Sequence, residues 1–316
     1  MSQEAGRADS SPINQPYYSF RNGKWQETNA CVQLAALPSP VKLFTWNIDF
    51  QKPNGDQRMK TALQHLYSLI AALPQETVVV IFFQEMVHED LATIQSTPWI
   101  QSHFHITDID SSNWLSTYGI ITLISKGLPI VSVFRTRYRS DMGRDGLYVD
   151  IRDKFTIVRL CNTHLESIVA HPRLRPGQVE LASQYLHGQF VDAGVVAGDF
   201  NAIEEFDRTL HIEHGLKDAY LENGGVEDHE SGYTWGMQSG ESGRRYGVSR
   251  TDKMLFCGKI QVKNLERFGA GLKIKIGEGE EAVETEDEDG DGTTQFVTDH
   301  LGLMADLYLE MGSQNY

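Results

Sequence analysis

The sequence has no apolar run approaching the ~18 residues a membrane span requires, and its first fifteen residues are mostly polar, without a basic-then-apolar leader pattern. A nuclear or cytoplasmic protein, not a secreted or membrane one, is therefore expected. Cysteine is scarce. Cys31, Cys161 and Cys257 are odd in number and far apart, which excludes a disulfide framework and a thiolate zinc site. Basic charge is also short, with 28 Lys+Arg against 43 Asp+Glu for a net charge of −15. That balance argues against a groove gripping long duplex DNA. Nine of the acids lie within residues 278–291, however, so the rest of the chain carries only −6. Local basic patches remain open to it, such as Arg135, Arg137, Arg139 and Arg144, or Arg244, Arg245 and Arg250.

What is present is an alternation of apolar strands and helical stripes. Residues 41–45, 77–83, 118–124, 130–135, 147–151, 155–160 and 195–197 read as strands, and 254–256 and 295–297 as later ones. Residues 118–124 and 130–135 are expected to pair, and a hairpin is expected around residues 152–154. Met59, Leu63, Leu66, Ile70 and Leu73 make a helical stripe, and a second helix is expected from Pro176 to about Phe190. Asn22-Gly23 marks a hairpin turn within an N-terminal segment, 1–38, that otherwise reads as a tail. The domain is expected over 39–312, with 278–292 as an acidic surface insertion. Asp287, Asp289, Asp291 and Gly292 open a calcium-loop pattern, but its twelfth position is Thr298 and no helix flanks it. His211 and His214 lack a third ligand and read as surface residues.

The strands share one habit: each ends in Asn, Asp, Glu or His. The ends are Asn47 and Asp49, Glu85, His164, Asp199 and Asn201, and Asp299 and His300. Two packed sheets with outer helices would bring these ends to one edge, where a site is commonly built. Carboxylates and amides without cysteine form a hard, oxygen-ligand set that suits Mg²⁺, with Mn²⁺ as a substitute. Such an ion keeps several waters and takes up phosphate oxygens, so the expected substrate is a phosphate ester.

Six segments occur in a telling order: Thr45-Trp46-Asn47-Ile48-Asp49, Gln84-Glu85, Thr163-His164-Leu165-Glu166-Ser167, Gly198-Asp199-Phe200-Asn201, Arg250-Thr251-Asp252-Lys253 and Thr298-Asp299-His300. Together they resemble the signature series of the endonuclease/exonuclease/phosphatase superfamily over roughly residues 41–310. The first and third are similar to its tyrosyl-DNA phosphodiesterase branch, which releases 5′-tyrosyl adducts. The resemblance implies a four-layer αββα sandwich, two packed mixed sheets with outer helices. It also implies a Mg²⁺-dependent phosphodiesterase acting as a monomer on a nucleic-acid 5′ end, in the manner of DNA repair. Glu85 would be the principal metal ligand, with Asn47 and Asp49 beside it and Asp299 completing the acidic side. Asp199 would activate water, Asn201 and His164 would contact phosphate, and Asp252 would orient His300. Ser167, Tyr118 and Trp235 would touch substrate, although a tryptophan in the setting of Trp235 is more often a core residue than a substrate shelf. The chain departs from the branch at Ile203, where an arginine is usual, and at Lys253. A small phosphate ester (nucleotide, phosphoinositide or sphingomyelin-like) is the alternative substrate, and an inactive scaffold of the same fold the alternative role.

Overall fold

The computed structural model describes residues 10–28, 40–153, 156–167, 173–276 and 294–310. Cys31, the acidic insertion and residues 1–9 lie outside them.

Strand Val78–Met86 is β-branched and aromatic on both sides, and both of its faces are covered. It sits centrally in an eight-stranded sheet, parallel to Val41–Asn47 and antiparallel to Gly119–Ser125. A seven-stranded sheet is built around Thr156–His164 and Ala193–Asp199, which run parallel, flanked by Asp145–Asp153 and Asp252–Gly258. Alternation along the strands divides the core into three layers. Leu43, Val80 and Phe82 meet Val149, Leu160 and Val195 between the sheets. Phe44, Ile81 and Phe83 face outward to Met59, Leu63 and Leu66 on helix Gly55–Ala71. Cys161 and Val196 face outward to Val179, Ala182 and Leu186 on helix Arg175–Leu186. The architecture is the αββα sandwich.

Two expectations change. Gly119–Ser125 and Ile130–Arg137 do not pair: the short connection between them crosses from one sheet to the other, and Ile130–Arg137 pairs instead with Asp145–Asp153. A four-residue connection cannot distinguish a hairpin from a corner between sheets. The Asn22-Gly23 hairpin, Tyr17–Arg21 with Lys24–Thr28, forms the edge of the eight-stranded sheet through Phe104–Ile106, and Ile13–Asn14 edges the other sheet. Residues 13–28 therefore extend the sandwich. Among the described residues, no helix is long and apolar enough to cross a membrane.

Candidate active site

Strand register places the polar ends together. Asn47 pairs across to Gln84 in one sheet, and His164 pairs to Asp199 and Asp199 to Asp252 in the other. A buried polar strut joins the sheets just beneath: Gln84 Nε2 donates to Asn162 Oδ1 at 2.7 Å, and Asn162 Nδ2 donates to the carbonyls of Phe83 and Ile121. Within the seven-stranded sheet, Gly198 lets its strand lie close against Thr163 of the neighbouring one. A Cβ there would stand 1.8 Å from the Thr163 carbonyl oxygen, at φ +147°, so no other residue fits.

Three site residues adopt left-handed backbone: Asp49 (φ 56°), Glu85 (φ 60°) and Asn201 (φ 47°). Glu85 lies in a register shift between Phe83 and Met86, which turns its side chain out of the ladder toward the strand ends. A non-glycine residue held this way costs about 1–3 kcal/mol and survives only where its surroundings enforce it, as at functional sites.

The enforcement is visible. Asn47 Nδ2 donates to Glu85 Oε1 at 3.1 Å and to Asp199 Oδ2 at 3.0 Å, while its Oδ1 accepts the Asp49 amide at 2.9 Å. The Phe50 amide donates to Glu85 Oε2. Asp199 Oδ1 accepts the Asn201 amide at 2.8 Å, and Asn201 Nδ2 donates to the Leu165 carbonyl. Thr298 Oγ1 donates to the Asn47 carbonyl, and Trp46 Nε1 to that of His300, which ties the closing Thr-Asp-His segment to the first motif.

The two histidines are in opposite states. His164 Nδ1 lies 2.9 Å from Arg144 Nη1. A guanidinium can only donate, so Nδ1 is an acceptor and Nε2 carries the proton, 3.4 Å from Asp199 Oδ2. Burial first, then the charges of Arg144 and His300, press the His164 pKa well below its ordinary value. Burial alone would lower His300 as well. Asp252, 2.9 Å from its Nδ1, together with Asp299 and Asp199, lifts it well above the ordinary value instead. His300 is an imidazolium whose Nε2 is 3.7 Å from both Asp199 Oδ2 and Asp299 Oδ1.

The carboxylates show crowding. Glu85 is pushed up to about 7, by burial and then by Asp49. Asp49 rises to about 6 through burial and Asp299, and Asp199 to about 6 through burial and Asp252, against the pull of His300. Asp49 Oδ2 is buried with no hydrogen-bond partner. Hard, oxygen-rich and partly unsatisfied, this donor set fits a divalent cation. The ligand atoms of Glu85, His164 and Asp199 converge, as do those of Asp199, Asp252 and His300. In the second trio the imidazolium is already held by Asp252, and in the first His164 Nε2 carries a proton, so Glu85 and the under-satisfied Asp49 are the better fit for a cation.

Ser167 and Trp235 open, with Asn201 and His300, onto a cleft of about 710 Å³. Trp235 Nε1 donates to Asp299 Oδ2 at 2.7 Å, and Ser167 Oγ to Met142 Sδ. Tyr118 lies on the other flank, stacked on Phe50 at 4.1 Å between ring centres, beneath the Arg144 guanidinium and 6.4 Å from the His164 ring.

Sequence reasoning missed Arg144 and Arg58. Arg144 was grouped with surface cations, yet it is buried. Arg58, also buried, donates five hydrogen bonds to the carbonyls of Ile48, Asp49, Lys52, Pro53 and Val297, clamping the Asp49 loop to the segment before Asp299. Its place beside Met59 in a helical stripe was the available signal. Arg250, grouped above in a basic patch, is paired with Asp218 and Glu227, and Arg175 is bidentate to Asp207. His211, read as a surface residue, is buried.

The family model described as Endonuclease/Exonuclease/phosphatase family matches residues 44–300. The chain belongs to that family. Among solved structures, TDP2 from C. elegans is similar at 22% identity and a TM-score of 0.61, over 85% of this chain and 75% of that one. D. rerio TDP2 complexed with a single-strand DNA product is similar at 16% identity and a TM-score of 0.61, over 85% and 99%. A mannosyl-6-phosphatase from Bacteroides thetaiotaomicron is similar at 13% identity and a TM-score of 0.58, over 85% and 100%. A search of curated proteins finds no match. The endonuclease/exonuclease/phosphatase fold thus carries the site just described, and enzymes of this family typically use divalent metals.

Proposed function

We propose that this chain hydrolyses a phosphate ester by attack of water on phosphorus, with a divalent cation, Mg²⁺ or Mn²⁺, as cofactor. One observation carries the reading: Asn47, His164 and His300 stand 3.0, 3.4 and 3.7 Å from Asp199, and Glu85 3.1 Å from Asn47, so groups from both sheets meet around an under-satisfied carboxylate cluster.

Glu85 and Asp49 would hold the cation, with Asp299 nearby, and when bound it would neutralise charge gathering on the phosphoryl oxygens. The chain's own groups do the rest. Asp199, fixed by Asn47 and the Asn201 amide, aligns the water and accepts its proton. His300, held by Asp252 and charged, donates from Nε2 to a phosphoryl oxygen. His164 offers a second donor at Nε2, because Arg144 occupies Nδ1. The phosphorus–oxygen bond to the leaving group then breaks, and the leaving oxygen takes up a proton.

Two substrate readings follow. A nucleic-acid 5′ end bearing a tyrosyl adduct is supported by the likeness to TDP2, one structure of which holds a DNA product. A small phosphate ester is supported by the likeness to the mannosyl-6-phosphatase and by the internal pairing of Arg175 and Arg250. The first test is hydrolysis of bis(4-nitrophenyl) phosphate and of a 5′-phosphotyrosyl oligonucleotide, with and without Mg²⁺ or Mn²⁺. Metal-dependent release, reduced ~10²–10⁴-fold in Glu85→Gln, is expected. Failure to cleave any phosphate ester would remove the proposal.

A further inference from the structure

The cleft beside His300 bears on what the substrate carries. At about 710 Å³ it has room for a ligand of ordinary small-molecule size. Its apolar wall is exposed: Ile203 at 48%, Val248 at 44% and Tyr246 at 68%, with Trp235 and Tyr233 half-buried. Its charged wall holds four carboxylates, Glu204, Asp207, Glu227 and Asp228, and three cations, Arg208, Arg250 and Lys253.

None of those cations is spare. Arg208 pairs with Asp228 at 2.8 Å. Arg250 Nη1 pairs with Asp218 at 2.8 Å, and its Nε donates to Glu227 at 3.2 Å. Lys253 is buried, and Asp218, the carboxylate it shares with Arg250, stands 3.9 Å away. Asp207 is already held by Arg175 from behind the wall. The charges on this surface are matched among themselves or in negative excess. A polynucleotide strand laid here would bring phosphates and find each of the three cations that line the cleft already facing a carboxylate, which weakens the term that supplies most strand affinity. An uncharged ring would find aromatic and aliphatic faces, with hydroxyl and carboxylate acceptors at the rim.

We infer that the substrate is a small phosphate ester whose reacting phosphate is its only anionic group, with its uncharged ring seated in this cleft. The inference rests on the phosphate-ester reading above and narrows it. Nothing in it requires the ring to be the leaving group rather than the part retained on phosphate.

The test compares thymidine 5′-(4-nitrophenyl phosphate) with the same ester extended by three nucleotides, using the full chain with Mn²⁺. We expect kcat/KM values within threefold of each other and equal salt dependence. A tenfold advantage for the longer ester would overturn the inference. So would a slope of log kcat/KM against log salt steeper by about 2, the value for three single-strand phosphates at roughly 0.7 each. Ile203→Lys, which adds an unpaired cation to the wall, is expected to raise the long-to-short ratio at least threefold. An unmoved ratio would show that wall charge does not select substrate. Should bis(4-nitrophenyl) phosphate also resist hydrolysis, the phosphate-ester reading falls by itself. The cleft is then judged by quenching of Trp235 fluorescence, taken as the difference between the native chain and Trp235→Phe. Thymidine is expected to bind no more weakly than the tetranucleotide at low salt. Tighter tetranucleotide binding, or no response to either, would reject the inference.

Discussion

Arg135 and His300 are both buried among aspartates, yet the two clusters are built to opposite ends. Arg135 donates to Asp108, Asp145, Gln15 Oε1 and the Ile120 carbonyl at 2.7–2.9 Å, so every charge has its partner. Around His300 there are five carboxylates, Glu85, Asp49, Asp199, Asp252 and Asp299, while the described cations facing them are Arg58, Lys52, Arg144 and the imidazolium. One buried oxygen of Asp49 has no partner at all. The first cluster is closed and holds loops and strands together. The second is open, and its unmet capacity marks it as a place for a ligand. Burial and charge alone do not separate the two; saturation does.

The sharpest way to break the contrast is to remove one aspartate from each. Asp199→Asn is expected to lower activity ~10²–10⁴-fold while leaving Tm unchanged or higher at pH 8. The sign follows from its raised pKa of about 6: the folded state disfavours the ionised form. Kinetics and differential scanning fluorimetry on one preparation read both quantities. Arg135→Met should do the reverse. It strands Asp108 and Asp145, a loss of roughly 3–5 kcal/mol, so Tm should drop by at least roughly 6 °C, while activity per folded molecule is retained. Equal Tm losses in the two variants would show that both clusters are structural.

Acidity sharpens the comparison further. Glu85 at about 7, and Asp49 and Asp199 at about 6, sit above their unfolded values. Each of these three groups therefore binds more proton in the folded chain than in the unfolded one between about pH 4 and 7, and the stability it contributes without metal falls as pH rises through that window. A bound cation competes with those protons. Added Mn²⁺ should thus raise Tm little at pH 5.5 and by several degrees at pH 8. A gain that does not depend on pH would place the cation elsewhere.

The strand ends were legible because five apolar runs stop at polar residues of recognisable type. The four-layer sandwich was implied by the resemblance that six ordered motifs carry. Three things were not legible. The crossing after Gly119–Ser125 was hidden because a short turn looks alike whether it folds back or changes sheets. Arg58 and Arg144 were hidden because their partners are backbone carbonyls and a histidine nitrogen, which carry no sequence signature. The pairing of Arg175 and Arg250 was hidden because Asp207 lies 32 positions from Arg175, and Asp218 32 from Arg250. A cation's availability is a property of the fold, and the nucleic-acid reading leaned on it.

A third kind of charge completes the scale with the smallest effect. Lys60 and Asp56 form an i,i+4 pair at 2.6 Å on helix Gly55–Ala71, with side chains 65% and 61% exposed. Water screens both partners, and holding the long lysine in one geometry costs side-chain entropy, so such pairs stabilise by only about 0.3–0.5 kcal/mol. Lys60→Met keeps the helix-forming stem and leaves Asp56 in the first turn, where its charge still favours the helix dipole and Thr93 Oγ1 still donates to it. Tm should move by less than roughly 2 °C, less still in 1 M salt, with kcat/KM unchanged. A fall as large as that of Arg135→Met would mean that distance alone, without burial, sets the strength of an ion pair here, and the distinction between closed and open clusters would lose its basis.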